Sequence, residues 1–100
     1  MIVIEQQVIA WANERGLLEG TTPEKQCLKL TEELGELCRA ILHEDRDKTL
    51  DAIGDMLVVL TNICAKLDTS LWICFDRAWA EIKDRKGMMR NGTFVKEADL

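Results

Sequence analysis

The chain has 100 residues, 47% of them apolar and 31% charged, with a net charge of −5, which is the profile of one globular domain and not of a disordered segment. That acidic balance excludes phosphate-backbone binding as the main task, because nucleic-acid binders carry basic patches; a small phosphate ligand held through cations stays open. The longest apolar stretch, MLVVL, is far too short to span a bilayer, and no membrane partner is expected.

Four cysteines, Cys27, Cys38, Cys64 and Cys74, show no CxxC pair and no histidine at zinc spacing. All four fall inside apolar-periodic segments, so we expect reduced core thiols in a cytoplasmic protein. The N-terminus has no charged region followed by an apolar run, and no signal peptide is expected.

Periodicity predicts four helices. The first covers about residues 3–15, with Ile4, Val8, Trp11 and Ala12 on one stripe, and ends at Gly16. The second starts at Thr22-Pro23-Glu24, a capping residue followed by proline at the first helical position, and runs to about His43. The third runs from about Asp47 to Leu67, and the fourth from Thr69 or Ser70 to Lys86-Gly87. Residues 87–100 have turn chemistry in NGT and no helical period. They read as an extended tail that packs through Phe94 and Val95.

Short connections predict an all-α, four-helix antiparallel bundle. The third helix is apolar nearly all round, from Ile53 to Ile63, and a helix of that kind is buried on more than one side. A four-helix monomer of this size cannot cover it fully, so a homodimer or homotetramer is expected.

One feature conflicts with simple packing. Residues 28–38, LKLTEELGELC, hold Glu32, Glu33 and Glu36 within five positions. Like charges three or four apart on a helix repel by roughly a few tenths of a kcal/mol per pair. At about 100° per residue, Glu33 and Glu36 share a patch at the border of a stripe formed by Leu30, Leu34, Leu37 and Ile41, with Lys29 one turn earlier. Glu32 lies further out. On the third helix Lys48, Asp51, Asp55 and Asn62 form a polar stripe among apolar residues. Antiparallel pairing of the two helices brings these patches face to face, with too little positive charge to balance them. A hard divalent cation such as Mg²⁺ resolves the imbalance. The plainer alternative is a solvated face on one helix and a water-bound aspartate on the other. Gly35 and Gly54 each cost about 1 kcal/mol against alanine in a helix. They mark either a close approach of backbone or ligand, or tolerated glycines.

These residues carry a resemblance. KLTEELGEL followed by DAIGDMLVVL resembles the all-α nucleoside triphosphate pyrophosphohydrolases, specifically the small MazG-like proteins, whose signature is ExxE on one helix and ExxD on the next. Glu33-Leu34-Gly35-Glu36 matches the first half and Gly54-Asp55 the end of the second. The tail RKGMMRNGTFVKEADL also looks like the ends of compact, single-domain members, phage types included. The resemblance covers most of the chain as one domain, residues 1–100.

Its implications are specific. The reaction is hydrolysis between the α- and β-phosphates of a nucleoside triphosphate, yielding monophosphate and pyrophosphate, with Mg²⁺ or alternatively Mn²⁺. The implied metal ligands are Glu33, Glu36 and Asp55. Where the family has its second-helix glutamate this chain has Ala52; either Asp51, one place earlier on the same face, supplies the missing oxygen, directly or through water, or one metal site is weakened or lost. Glu32 matches a position that orients or deprotonates the attacking water; a plain surface glutamate is the alternative. Lys29 is a candidate phosphate contact or an ion-pair partner of Glu33. Asn62 is a candidate base or sugar contact or a satisfied core amide. Trp11 is a stacking candidate or a core residue. Lys83, Arg85 and Lys86, with Arg90 and Lys96, form the one basic-rich region, able to reach phosphates or to complement a helix C-terminus. Trp72 and Trp79 read as packing residues and His43 as a surface residue. The rival reading, favoured by Ala52, is a helical oligomerisation module that has kept the fold and lost activity.

Overall fold

The second and third helices expected from sequence are the centre of the structure. The computed structural model describes residues 2–100. Its elements are α1 (Ile2–Glu14), α2 (Leu17–Gly20), α3 (Pro23–Leu42), α4 (Arg46–Lys66), α5 (Leu71–Ile82), β1 (Gly87–Arg90), β2 (Thr93–Lys96) and a closing 3₁₀ turn (Glu97–Asp99). The chain is thus mostly helical, with a small antiparallel sheet at its C-terminal end.

Local chemistry sets the start of α3 and α4. Thr22 Oγ1 accepts the Lys25 N–H at 3.1 Å, and Pro23 occupies the first turn, where no N–H is needed. After α3 the chain reverses over His43–Asp45. Glu44 takes a left-handed conformation (φ 55°), and Asp45 Oδ1 accepts the Lys48 N–H at 3.0 Å to open α4. A connection this short forces α3 and α4 to run antiparallel, and they pack along their length. α1 lies against α4.

The fourth predicted helix does not join them side by side. α4 ends at a left-handed Asp68 (φ 56°), and Ser70 caps α5, which leaves at 99° to α4. Within one chain the antiparallel four-helix bundle is therefore not closed. Periodicity gives a helix its stripe but carries no information on the angle at a non-helical joint. The tail differs too. It is a β-hairpin in which Arg90 pairs with Thr93 across Asn91-Gly92, both at positive φ (50° and 80°), the geometry that favours Asn-Gly in two-residue hairpin loops. Val95 is half-buried, whereas Phe94 stays exposed.

The core is made of small residues: Ala12, Ala40, Ala52, Val59 and Cys64 are buried. No large side chain is fully buried among the described residues, and Trp72, Phe75 and Trp79 on α5 are all exposed. The packing role expected for Trp72 and Trp79 is thus not met inside one chain. Cys27, Cys38 and Cys74 are also exposed, so only Cys64 is a core thiol. The radius of gyration, 16.3 Å, exceeds the roughly 13 Å of a compact 100-residue domain. No single helix among the described residues is long and apolar enough to cross a membrane.

Candidate metal centre

The acidic cluster is deeper than the helical wheel implied. Sequence spacing put Glu33 at the border of a stripe containing Leu34 and Ile41. In the structure Leu34 and Ile41 are about half exposed, while Glu33 is only 6% exposed and Ala40 is buried with it. The inward face of α3 thus includes Glu33 and Ala40, with Leu30 and Leu37 half-buried beside them.

Glu33 Oε1 lies 3.4 Å from Lys29 Nζ, which also reaches Glu32 Oε2 at 3.6 Å. The hydrogen bond and charge of Glu33, followed by the charge of Glu32, hold the Lys29 ammonium above its usual pKa range. Glu33 Oε2 has no partner although it is buried. A buried oxygen left unpaired costs about 1–3 kcal/mol, more when charged. One oxygen each from Glu33, Glu36 and Asp55 lies within 4.8 Å of the others. Opposed ligands on an octahedral Mg²⁺ stand about 4.2 Å apart, so small rotations of the exposed Glu36 and Asp55 side chains bring all three onto one ion. An all-carboxylate set with one orphaned oxygen suits a hard divalent cation.

Beside the cluster a groove of about 460 Å³ runs between α3 and α4, lined in part by Glu36, Asp51, Ala52 and Asp55. Asp51 therefore faces the same space but is not one of the three clustered carboxylates. Ala52 is buried, so no carboxylate fills its position. Glu32 is exposed and tied to Lys29. Asn62 is 3% exposed and its Oδ1 has no partner, so it is not a satisfied core amide.

Other candidates stand apart from the groove. Trp11 is exposed and carries the Arg15 guanidinium 4.6 Å from its ring centre. Lys83, Arg85 and Lys86 follow α5, beyond the corner, and Arg85 pairs with Glu81 at 3.6 Å. Gly54 has open space where a Cβ would stand, so no close approach explains it. A Cβ on Gly35 would meet only the Arg39 guanidinium, at an ordinary 3.5 Å. Sequence reading missed Arg39 and His43, which line the groove with Lys48. The signal was there: they lie three and seven residues after Glu36, on its face of α3.

Parts of the chain match known proteins. A 50-residue stretch is 48% identical to an uncharacterized 18.2 kDa protein from the rep-hol intergenic region of Haemophilus phage HP1 (strain HP1c1); it covers 50% of this chain and 31% of that protein. The match spans about a third of the length of that relative. No solved structure matches. Residues 21–89, which include both acidic helices, match the family described as the MazG nucleotide pyrophosphohydrolase domain. The chain belongs to the MazG nucleotide pyrophosphohydrolase domain family.

Proposed function

We propose that this chain hydrolyses nucleoside triphosphates between the α- and β-phosphates, releasing a monophosphate and pyrophosphate and so cleansing or balancing the nucleotide pool of the cytoplasm. The observation that carries the reading is the buried, unpartnered Glu33 Oε2, set against Asp55 of the facing helix. Glu33, Glu36 and Asp55 are the residues to hold Mg²⁺, or Mn²⁺ in its place, with Asp51 a further oxygen on the groove wall. The chemistry supplied by such an ion is neutralisation of phosphate charge and activation of water. Lys29 engages one Glu33 oxygen and leaves the other free to donate. Through the same ammonium it tethers Glu32, the candidate to orient the attacking water and take its proton. Asn62 and Lys29 are the nearest candidates for substrate contact in sequence register with the cluster.

Trp11, Lys83, Arg85 and Lys86 serve a substrate only if a second copy brings them to the groove. A homodimer or homotetramer supplies that copy and also covers the exposed apolar residues of α5. No nucleic-acid polymer or membrane is part of this reading.

The test is a panel of ribo- and deoxyribonucleoside triphosphates incubated with and without Mg²⁺, with pyrophosphate measured. Metal-dependent release, lost in Glu33→Ala, is expected. Release that survives Glu33→Ala moves the site elsewhere. No release from any nucleotide favours the rival, a helical interaction module, for which the buried Ala52 in place of a carboxylate is the specific observation.

A further inference from the structure

The groove changes charge along its length. Glu36, Asp51 and Asp55 line it beside the acidic centre, and Arg39, His43 and Lys48 line it towards the α3–α4 connection. The ion pairs among the described residues engage Arg15, Lys29 and Arg85, so neither of the groove cations, Arg39 and Lys48, has a carboxylate oxygen within pairing distance. Asp45, on the same wall, is committed to capping α4. Arg39 has a further constraint on its direction. Its Nη1 lies over Gly35, 3.5 Å from where a Cβ would stand. The guanidinium is thus folded back one turn, over Gly35.

A wholly acidic groove would take a bare cation, and a wholly basic one a bare anion. One groove with unpaired groups of both signs matches a ligand that is itself both, a divalent metal on a polyphosphate. Guanidinium suits phosphate oxygens because its donors form a planar fork. The volume, about 460 Å³, falls in the range of small-ligand pockets.

We infer that Arg39, with His43 and Lys48, binds the terminal phosphates of the polyphosphate, the half that departs as pyrophosphate. The nucleoside then lies on the opposite side of the carboxylates, away from the α3–α4 connection. This rests on the pyrophosphohydrolase reading for its direction, but its ligand class, a metal polyphosphate, can be tested without turnover.

The test is calorimetric titration of inorganic pyrophosphate, in saturating Mg²⁺, into wild-type protein, Arg39→Gln, Arg39→Lys and Lys48→Gln. Both substituted positions, Arg39 and Lys48, are exposed, and circular dichroism checks the fold. Arg39→Gln is expected to bind at least tenfold more weakly, Lys48→Gln several-fold more weakly, and Arg39→Lys in between. The Mg²⁺-dependent rise in melting temperature should be unchanged in each. Equal affinity in wild type and variants, or no binding by wild type, overturns the inference. The two readings fail separately. Arg39-dependent pyrophosphate binding without hydrolysis of any nucleotide sustains this inference and overturns the proposed reaction. Hydrolysis with KM unchanged in Arg39→Gln sustains the reaction and overturns this inference.

Discussion

Glu33 on α3 and Asp55 on α4 offer carboxylate oxygens within 4.8 Å of each other across a helix–helix interface. Glu33 is almost wholly buried there, with one oxygen bound to Lys29 and the other to nothing. Two negative groups that close, one of them desolvated, oppose the packing that brings them together. The interface is therefore poorer without a cation than with one, and this gives the first prediction.

Glu33→Gln should raise the stability of the metal-free protein by about 1 kcal/mol, because an amide is cheaper to bury than a carboxylate. The same change should abolish stabilisation by Mg²⁺. For wild type, metal at about ten times its dissociation constant contributes roughly 1.4 kcal/mol, a rise in melting temperature of several degrees for a domain of this size. Melting curves with Mg²⁺, Mn²⁺ and chelator decide it. A metal-free Glu33→Gln that melts below wild type refutes this account of the interface.

Ala52→Glu restores the acid that the family carries three residues before Asp55. The position is buried and faces the groove. Metal affinity should rise about tenfold, a gain of roughly 1.4 kcal/mol, while the metal-free protein loses stability through the added buried charge. Titration of Mn²⁺ followed by spin resonance measures the first effect and urea unfolding the second. Unchanged affinity would place residue 52 outside the ion's reach.

Glu5 holds the α4–α5 corner. It lies on α1, is 6% exposed, and accepts the backbone N–H of Leu71, the first residue of α5. Glu5→Ala leaves that donor unpaired and should cost about 1–3 kcal/mol. Glu5→Gln keeps an acceptor and should cost less. Chemical denaturation of both variants is the measurement, and equal losses would show that the hydrogen bond is not the source.

Cys64 predicts a pH dependence. Burial, and then the hydrogen bond and charge of Cys74 with its Sγ at 3.9 Å, push the Cys64 thiol from 9.0 up to about 11. An acid that ionises less readily in the folded chain contributes stability that is complete while both states keep the proton. Stability should therefore be full below pH 9, fall between pH 9 and 11 as the unfolded chain ionises first, and level off beyond. Cys64→Ser does not titrate there and should lack that slope. Urea unfolding from pH 8 to 11 tests it, as does alkylation, which should modify Cys27 and Cys38 well before Cys64 at pH 8.

Gly87 closes the base of the hairpin. A Cβ at that position would run into the Val95 carbonyl and the Phe94 ring. Gly87→Ala should open the hairpin, at about 1–3 kcal/mol of local strain, with little change in global melting because the hairpin lies outside the α1–α3–α4 packing. Faster amide exchange confined to residues 87–96 is the expected result.

Much of this was legible in the chain. Thr22-Pro23 announced α3, and the acidic residues of KLTEELGEL and DAIGDMLVVL announced the facing pair. What escaped was orientation. The wheel ranked residues around α3 correctly but could not say which direction α4 would take, so Glu33 was placed at the rim and Leu34 inside. The corner at Asp68–Ser70 escaped because it is secured from α1, by Glu5, far away in sequence. The hairpin was announced by Asn91-Gly92, but MMR and TFV carry too little alternation to read as strands. Arg39 and His43 are the i+3 and i+7 neighbours of Glu36; Arg39 drew no reading and His43 was read as a surface residue, because charge alone does not reveal a groove.

The reversal at His43–Asp45 has one more consequence. Every groove-lining side chain falls between Glu36 and Asp55, on either side of that single bend. Contacts so close in sequence form quickly. During translation, every residue that lines the pocket has been added to the chain before synthesis of α5 and the hairpin begins.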